Sequence, residues 1–255
     1  MPVKQVRSHT TGAPIDAATD GIFPSDGLAL PINRTSLSGQ AYQHIKSLLM
    51  QGRLPPGQPI SFRDAARSLT MSVTPVREAL LQLVGEKVLV AAKGRTIAVP
   101  PLSAAHCREI WDLRLLLEGH CAEIATANAT PALVARLQQC HDRMAAAKQR
   151  KDVRGGIRHN MAFHFALYEA AAAPTLKWMI DCVWAQSGCY ADFFLTSHIM
   201  RRNVATTQGP HMHATIIAAL AARDRAGVRR GVERDLIEIR DGAIRLLDEQ
   251  GADGV

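Results

Sequence analysis

The segment from residue 72 to residue 83 constrains the fold more than any other, and it reads Ser-Val-Thr-Pro-Val-Arg-Glu-Ala-Leu-Leu-Gln-Leu. Ser72 or Thr74 can cap a helix here, and Pro75 falls in the first turn, where its missing N–H costs nothing. Apolar residues then recur at helical spacing and form one stripe: Val76, Leu80 and Leu83. The segment therefore predicts a short helix with one buried face, which leaves Ser72, Thr74 and Arg77 on the other faces.

A second short helix precedes this one. Ser61-Phe-Arg-Asp64 has the Ser-x-x-Asp form of a capping box and leads into a helical run that ends near Leu69. Because the connection Thr70-Met71 is short, the two helices are predicted to form a helix-turn-helix. A surface helical hairpin with incidental arginines is the alternative that this pair leaves open.

Two β-prone runs follow the helix pair. Residues 88–92 (Val-Leu-Val-Ala-Ala) and 96–99 (Thr-Ile-Ala-Val) are separated by a glycine turn with a base on either side. Ahead of the pair, residues 38–51 carry apolar residues at helical spacing, and a Pro-Pro-Gly loop then ends that helix. This order predicts a winged helix-turn-helix domain that binds DNA. The residues predicted to contact DNA are Arg63, Ser72, Thr74, Arg77, Lys93, Gly94 and Arg95.

Basic residues are concentrated in this part of the chain. Residues 34–100 hold nine lysines and arginines against three acidic residues, a balance of +6. Residues 101–255 hold nineteen against seventeen, and residues 1–33 carry −1, so most of the net charge of +7 lies in one small region. A basic surface confined to one domain is what neutralisation of DNA phosphates requires.

Motifs in this region resemble a known family. Gly52-Arg-Leu-Pro-Pro-Gly57, Thr74-Pro-Val-Arg-Glu-Ala-Leu80 and the wing are similar to the N-terminal domain of the GntR family of bacterial transcription regulators. The resemblance covers about residues 36–100 and implies binding to double-stranded operator DNA. The chain departs from the family pattern at Val73, where arginine is frequent, and at Lys87, where glycine is common. Both departures bear on which operator sequence is bound.

Length and composition indicate two domains. A chain of 255 residues with 47% hydrophobic content can bury a second, larger core beside the basic domain. We expect a disordered extension over residues 1–33, the winged domain over 34–100 and a helical domain over 101–250. No stretch approaches the roughly 18 uninterrupted apolar residues of a membrane span, and the N-terminus carries no secretion signal pattern. These features predict a cytoplasmic protein with five reduced, mostly buried cysteines, a redox sensor being the alternative.

After Pro100-Pro101 the pattern is almost wholly helical. Pro131 and Pro174 are placed to open helices, and Gly155-Gly156 is placed to break one. Apolar residues recur at helical spacing between these positions, and no strand pattern is present. The sequence therefore predicts a mainly α protein, in which the winged domain with its small β-hairpin is followed by an antiparallel bundle of about six helices.

Polar residues interrupt the apolar stripes of three of these helices. Asp235 and His213 each fall on the core side of a helix, and Asn160 and His164 are four residues apart on one face. Burying an unpaired carboxylate costs several kcal/mol, so these groups need partners. Two imidazoles, an amide oxygen and a carboxylate converging from three helices could form a divalent-metal site. Separate core histidines with their own hydrogen bonds are the alternative.

This part of the chain also resembles a known domain. Arg114-Leu-Leu-Leu-Glu118, Asn160-Met-Ala-Phe-His164 and the helix that begins at His213 are similar to the FadR-type C-terminal effector domain, called FCD, over about residues 103–249. The resemblance implies a metal held by Asn160, His164, His213 and Asp235. Asn160 stands where the family usually has Asp, and Asp235 stands where it usually has His. The ion implied is Zn, Mn or Ni, with the exchange favouring oxygen-preferring ions such as Mn or Mg.

The FCD resemblance also implies an effector site at Arg114. In the family pattern this arginine points toward the cavity, and a guanidinium binds a carboxylate through two parallel hydrogen bonds. An ion pair with Glu118, four residues further along the same helix, is the alternative.

Together these features predict a homodimeric, ligand-responsive transcription regulator, with repression as its expected mode. A small carboxylate in the helical domain would alter the relative position of two DNA-binding domains. No nucleophile elbow, P-loop or GxGxxG turn is present, so we predict no enzymatic activity. Two alternatives remain. One is a metal-dependent enzyme that uses His164, His213 and Asp235 on a small acid. The other is a metabolite-binding protein whose helix-turn-helix no longer binds DNA, which Val73 allows.

Overall fold

The computed structural model describes residues 36–92, 96–202 and 212–252. The predicted extension over residues 1–33 and the wing-turn residues Lys93, Gly94 and Arg95 lie outside these ranges. The described chain is mostly helical and contains one small sheet, which confirms the predicted mainly α class. None of its helices is both long enough and apolar enough to cross a bilayer, as far as the described residues extend.

The first domain consists of three helices and a three-stranded sheet. Its elements are α1 Leu37–Met50, β1 Pro59–Ile60, α2 Phe62–Ser68, α3 Val73–Gly85, β2 Val90–Ala92 and β3 Thr96–Ala98. β3 lies between β1 and β2 and runs antiparallel to both, so that Ile97 pairs with Ile60 and Ala91. This is the predicted winged helix-turn-helix. Strand β1 was not predicted because it is only two residues long and begins at a proline.

The core of this domain forms where α3 packs against α1. Val76, Leu80 and Leu83, the predicted stripe of α3, are completely buried. They lie in one apolar cluster with Ile45 and Leu49 of α1. Burial of each large aliphatic side chain contributes about 1.5–3 kcal/mol, so this stripe fixes the orientation of α3 and of its exposed face.

The second domain is an all-helical bundle. Its helices are α4 Ala104–Ala127, α5 Pro131–Gln149, α6 Val153–Glu169, α7 Pro174–Arg202, α8 Met212–Ala221 and α9 Arg225–Ala252. The predicted helix break at Gly155-Gly156 is wrong. The chain turns at Lys151, which has a φ of 58°, and Asp152 then caps α6 by accepting a hydrogen bond from the amide of Gly155 at 2.7 Å. The two glycines therefore lie in the first turns of α6.

Each helix of the bundle contributes side chains to one continuous core. α4 packs along α9, α5 along α6, and α8 against α9. Trp111, Phe163, Ile180, Ile216 and Val232, from α4, α6, α7, α8 and α9, are completely buried together. The polar residues described below are embedded in this core, so each must find its partner inside the protein.

Helix α7 joins the bundle to the winged domain. Ala185 of α7 belongs to the apolar cluster of the winged domain. One turn later, Gly188 has no room for a Cβ, which would overlap the carbonyl oxygen of Leu49 in α1. Arg154 at the start of α6 also donates a hydrogen bond to the carbonyl oxygen of Gln51 at 3.1 Å. The two domains are therefore in direct contact along α1 and α7.

A polar cluster lies in the same contact. Lys46 of α1 donates to the hydroxyl of Tyr42 at 2.6 Å and to Glu86 at 3.2 Å, and it also contacts the thiol of Cys182 in α7 at 3.6 Å. Burial alone lowers the pKa of Lys46, but the hydrogen bond to Tyr42 and the nearby Cys182 and Glu86 raise it above its ordinary value. Lys46 therefore stays charged although it is almost fully buried.

Candidate DNA interface and metal centre

The exposed face of the helix-turn-helix carries four of the predicted DNA contacts. Arg63 on α2 and Ser72, Thr74 and Arg77 at the start of α3 are all exposed. Ser72 is the N-cap residue of α3, but its hydroxyl makes no capping hydrogen bond. That hydroxyl and the first amides of α3 are available to a phosphate oxygen, which the positive end of a helix dipole attracts.

Arg77 is oriented by an aromatic neighbour. Its guanidinium lies over the ring of Phe62, 5.1 Å from the ring centroid. Such a cation–π contact supports one face of the guanidinium and leaves its N–H groups free to reach base edges. Val73, which replaces a frequent arginine, is partly exposed beside it and offers only apolar contact.

Two further basic residues of this domain were not among the predicted DNA contacts. Arg67 is exposed on α2 and pairs with Asp64 at 3.2 Å. Lys87 is exposed just after α3, and its φ of 57° lies in the left-handed region. That conformation explains why glycine suits the position of Lys87. Both belong to the nine basic residues counted in this region, but a count along the sequence does not show which of them share the exposed face.

Three of the four predicted metal ligands meet in the core of the bundle. His164 of α6, His213 of α8 and Asp235 of α9 place ligand atoms within 4.8 Å of one another, and all three side chains are buried. The Nε2 atom of His164 lies 3.0 Å from Oδ2 of Asp235 and 3.4 Å from Nε2 of His213. The ring of His213 stacks on Phe163 with 3.6 Å between centroids, which fixes its orientation.

Two further residues lie near this cluster. Asn160, the fourth predicted ligand, lies on α6 one turn before His164 and is half-buried. His141 of α5 was not predicted, and its ring lies edge-on to His213 with 5.9 Å between centroids. Its spacing was the available signal, because His141 follows Leu137 by four residues and precedes Met144 by three, and both of these are buried in α5.

A chain of buried hydrogen bonds leads from this cluster to Arg114. Nδ1 of His164 lies 3.1 Å from the hydroxyl of Tyr168, and that hydroxyl donates to Oε2 of Glu118 at 2.6 Å. Glu118 accepts two further hydrogen bonds from Arg114, whose Nη1 also donates to Ser187. Burial, followed by the nearby Glu118, raises the pKa of Tyr168 well above its ordinary value, so its hydroxyl keeps its proton.

Arg114 is held between two indole rings. Its guanidinium carbon lies 4.3 Å from the ring centroid of Trp184 and 5.2 Å from that of Trp111. Arg114 also forms an ion pair with Glu118. This pair is the arrangement that was predicted as the alternative to an effector site at Arg114. Both indole N–H groups are buried, and neither has a hydrogen-bond acceptor among the residues described. Tryptophan N–H groups usually find an acceptor when buried.

The residues of the cluster fit a divalent ion. Two imidazole nitrogens and one carboxylate oxygen form a mixed N/O donor set, which suits Zn²⁺, Mn²⁺ and Ni²⁺. When bound, such an ion would neutralise the buried carboxylate of Asp235 and offer open coordination positions to an anionic ligand. The sequence missed Tyr168 and Ser187 as neighbours of the cluster, although Tyr168 follows His164 by one helical turn.

Family models match both domains. Residues 37–99 match the family described as bacterial regulatory proteins, gntR family, and residues 109–237 match the FCD domain. The two matches fall on the winged domain and on the helical bundle respectively.

Relatives of known name are similar over most of the chain. The HTH-type transcriptional regulator McbR of Escherichia coli is 30% identical over 86% of this chain and 96% of its own length. Its solved structure superposes with a TM-score of 0.73 over 85% of this chain and 99% of that one. The HTH-type transcriptional repressor GlaR of E. coli is 25% identical over 75% of this chain and 88% of its own. The Glc operon transcriptional activator of E. coli is 30% identical over 54% and 62%.

These observations define the class of protein, which is a DNA-binding transcription regulator with a winged helix-turn-helix followed by a helical domain. The chain belongs to the GntR family of bacterial regulatory proteins and carries an FCD domain.

Proposed function

We propose that this chain is a homodimeric repressor that responds to a small carboxylate, held in the helical domain together with a divalent ion. Helix α7 carries this proposal, because the same helix contacts the buried polar site on one side and the DNA-binding domain on the other. A ligand that moves α7 would therefore move the winged domain, and DNA affinity would change with it.

The contacts of α7 support this coupling in detail. Its Trp184 lies against His164, with 5.8 Å between ring centroids, and stacks on Arg114, while Ser187 accepts a hydrogen bond from Arg114. Ala185 directly follows Trp184, and Gly188 directly follows Ser187. Both of these following residues pack against the winged domain. Adjacent residues of α7 therefore contact the buried polar site and the winged domain respectively.

The composition of the core supports a metal. Asp235 is only 5% exposed, and it lies in a cluster with the two buried imidazoles of His164 and His213. A buried carboxylate needs a compensating positive charge, and a divalent ion supplies one. We propose His164, His213 and Asp235 as ligands, with Asn160 close enough along α6 to contribute its amide oxygen.

The surroundings of Arg114 support a carboxylate effector. Arg114 already binds one carboxylate, that of Glu118, so the site has the geometry that such a group requires. The buried N–H groups of Trp111 and Trp184 are donors without an acceptor among the described residues. We propose that an effector carboxylate competes with Glu118 for Arg114 or binds the metal beside it.

The DNA-binding domain supports the proposals of dimerisation and repression. A single small winged domain covers one half-site, so two copies are needed for a palindromic operator. A dimer that occupies an operator blocks access to a promoter without further contacts, which is why we propose repression. The relatives include one named as a repressor and one named as an activator.

Fluorescence anisotropy with promoter DNA tests the proposal. Full-length protein is titrated into labelled fragments from the region upstream of its own gene, at several salt concentrations, with chelator or with Mn, Zn or Ni, and with a panel of small carboxylates. We expect salt-dependent binding that at least one carboxylate changes by about tenfold or more when metal is present. DNA binding that no carboxylate alters would contradict the effector, whereas absence of binding would contradict the regulator itself.

Thermal melts test the metal separately. Only folded protein presents all ligands, so Mn, Zn or Ni should raise the melting temperature of chelator-treated protein by mass action. His213→Ala should abolish that rise. His120→Ala, which removes an exposed histidine of α4, is the matched control and should keep it. If metal raises the melting temperature of both variants equally, the metal binds at another site.

A further inference from the structure

The hydrogen bonds around Glu118 have a fixed direction. Arg114 can only donate, and it donates from Nε and Nη2 to the two oxygens of Glu118. The carboxylate so engaged is an acceptor, and the hydroxyl of Tyr168 donates its proton to Oε2 at 2.6 Å. A phenol has one proton, so Tyr168 has none left for a second neighbour.

This direction determines the tautomer of His164. Its Nδ1 lies 3.1 Å from the oxygen of Tyr168, which is left as an acceptor. The hydrogen of a neutral His164 ring must therefore be on Nδ1. The opposite atom, Nε2, then presents its lone pair to Asp235 at 3.0 Å and to His213 at 3.4 Å. Acceptor atoms that face each other so closely repel unless a proton or a cation lies between them, and one divalent cation would satisfy all three atoms at once.

We infer that Glu118 and Tyr168 are positioning residues which hold His164 with Nδ1 protonated and Nε2 directed to a divalent cation. This inference rests on the metal site proposed above and adds the residues that prepare it. A ligating histidine is generally oriented by an acceptor for its other N–H, and loss of that acceptor lowers metal affinity by about 10–100-fold. Here the acceptor is the hydroxyl oxygen of Tyr168. The proton of that hydroxyl is donated to Glu118, which Arg114 holds in place.

Imidazole ¹⁵N shifts of the metal-free protein test the tautomer without any metal. The signals of His164 are assigned from their loss in His164→Asn, and the shift of Nδ1 reports whether it carries a proton. We expect a protonated Nδ1 in the parent protein and an unprotonated Nδ1 in Tyr168→Phe. Tyr190→Phe is the matched control, because Tyr190 is another buried tyrosine whose hydroxyl accepts from the amide of Ser103, away from the site. It should leave the shift of Nδ1 unchanged.

Titration with Zn and Mn measures the consequence for binding. We expect Tyr168→Phe to weaken binding by about 10–100-fold and Tyr190→Phe to leave it unchanged. Glu118→Gln keeps the shape but offers an N–H to Tyr168, which can then donate to Nδ1 of His164, so it should weaken binding in the same way.

The two measurements separate the inference from the proposal on which it rests. If the parent binds metal and Tyr168→Phe binds it equally well, the positioning role is wrong and the metal site stands. If the parent binds no metal but its Nδ1 is protonated only when Tyr168 is present, the hydrogen-bond chain stands and the metal site is wrong. An unprotonated Nδ1 in the parent protein would overturn the inference directly.

Discussion

Arg77 and Arg63 stand on different helices of the helix-turn-helix, and we expect their substitutions to have different effects. Arg77→Ala should weaken operator binding by about 1–3 kcal/mol and relax specificity at one base pair, because we propose that this exposed side chain of α3 reads a base edge. Arg63→Ala should weaken binding to all sequences and reduce the slope of affinity against salt by about one, because a phosphate contact carries no sequence information. Anisotropy with operator and scrambled DNA, at several salt concentrations, measures both.

The control for these variants is Arg108→Ala. Arg108 is an exposed arginine on α4 of the bundle, where it pairs with Asp248 at 3.2 Å. Its loss removes the same charge from the chain without changing the winged domain, so binding should change little. If Arg77→Ala and Arg63→Ala bind both DNA sequences as Arg108→Ala does, the assignment of contacts to α2 and α3 is wrong.

Single residues also show where prediction from the sequence failed. Helix ends were predicted from glycine and proline, and Pro131 and Pro174 do open α5 and α7. At the C-terminal ends of α2, α3 and α8, the chain leaves the helix through residues with left-handed backbone conformations. These are Thr70, Lys87 and Arg223, with φ between 54° and 57°. The amide of the residue after Thr70 donates to Ala66, as in a Schellman motif. Because any residue can occupy that position at a cost of about 1–2 kcal/mol, such ends leave no signal in the sequence.

At the scale of elements, apolar periodicity predicted the helices well and their partners poorly. It indicated that His164, His213 and Asp235 face the core, because each interrupts an apolar stripe. It could not show that Tyr168 joins His164 to Glu118, since hydrogen bonds between helices depend on rotation and distance rather than on spacing along one helix. The packing of α7 on α1 was missed for the same reason, because a single glycine such as Gly188 inside a helical pattern does not indicate which element it contacts.

Gly188 tests the role of α7 as the connecting element. An added Cβ would overlap the carbonyl oxygen of Leu49, so Gly188→Ala should push α1 away from α7. We expect a loss of stability of about 1–3 kcal/mol from overpacking. We also expect the ratio of DNA affinities with and without metal to move toward one, because the winged domain no longer follows α7. Thermal melts and anisotropy measure the two effects.

Gly156→Ala is the matched control for Gly188→Ala. Gly156 also lies inside a helix, α6, but a Cβ there meets no atom within 4 Å. Alanine is favoured over glycine in a helix by about 1 kcal/mol, so Gly156→Ala should be neutral or stabilising and should leave the affinity ratio unchanged. A Gly188→Ala protein that keeps the parent ratio would exclude α7 as the route of coupling.

For the whole molecule, charge and motif order were sufficient to predict a basic winged helix-turn-helix followed by a helical bundle. Assembly is different, because an interface between copies depends on which exposed residues share a surface. Leu113 and Leu116 of α4 are 41% and 64% exposed, and their spacing places them on one face of the helix. Exposed apolar residues that share one face can form a contact surface between protein copies.

We predict that this face of α4 forms the dimer interface. Leu116→Glu would place two carboxylates against each other across a two-fold axis, so the protein should sediment as a monomer at micromolar concentration. Operator affinity should then fall by about tenfold or more, because two half-sites are no longer bound together. Met179→Glu, at a 45% exposed apolar residue of α7, is the matched control and should stay dimeric. If Leu116→Glu stays dimeric and Met179→Glu is a monomer, the dimer interface lies on α7 instead. In that arrangement the dimer contact would lie on the same helix as Trp184 and Gly188, and effector binding would act on assembly as well as on the winged domain.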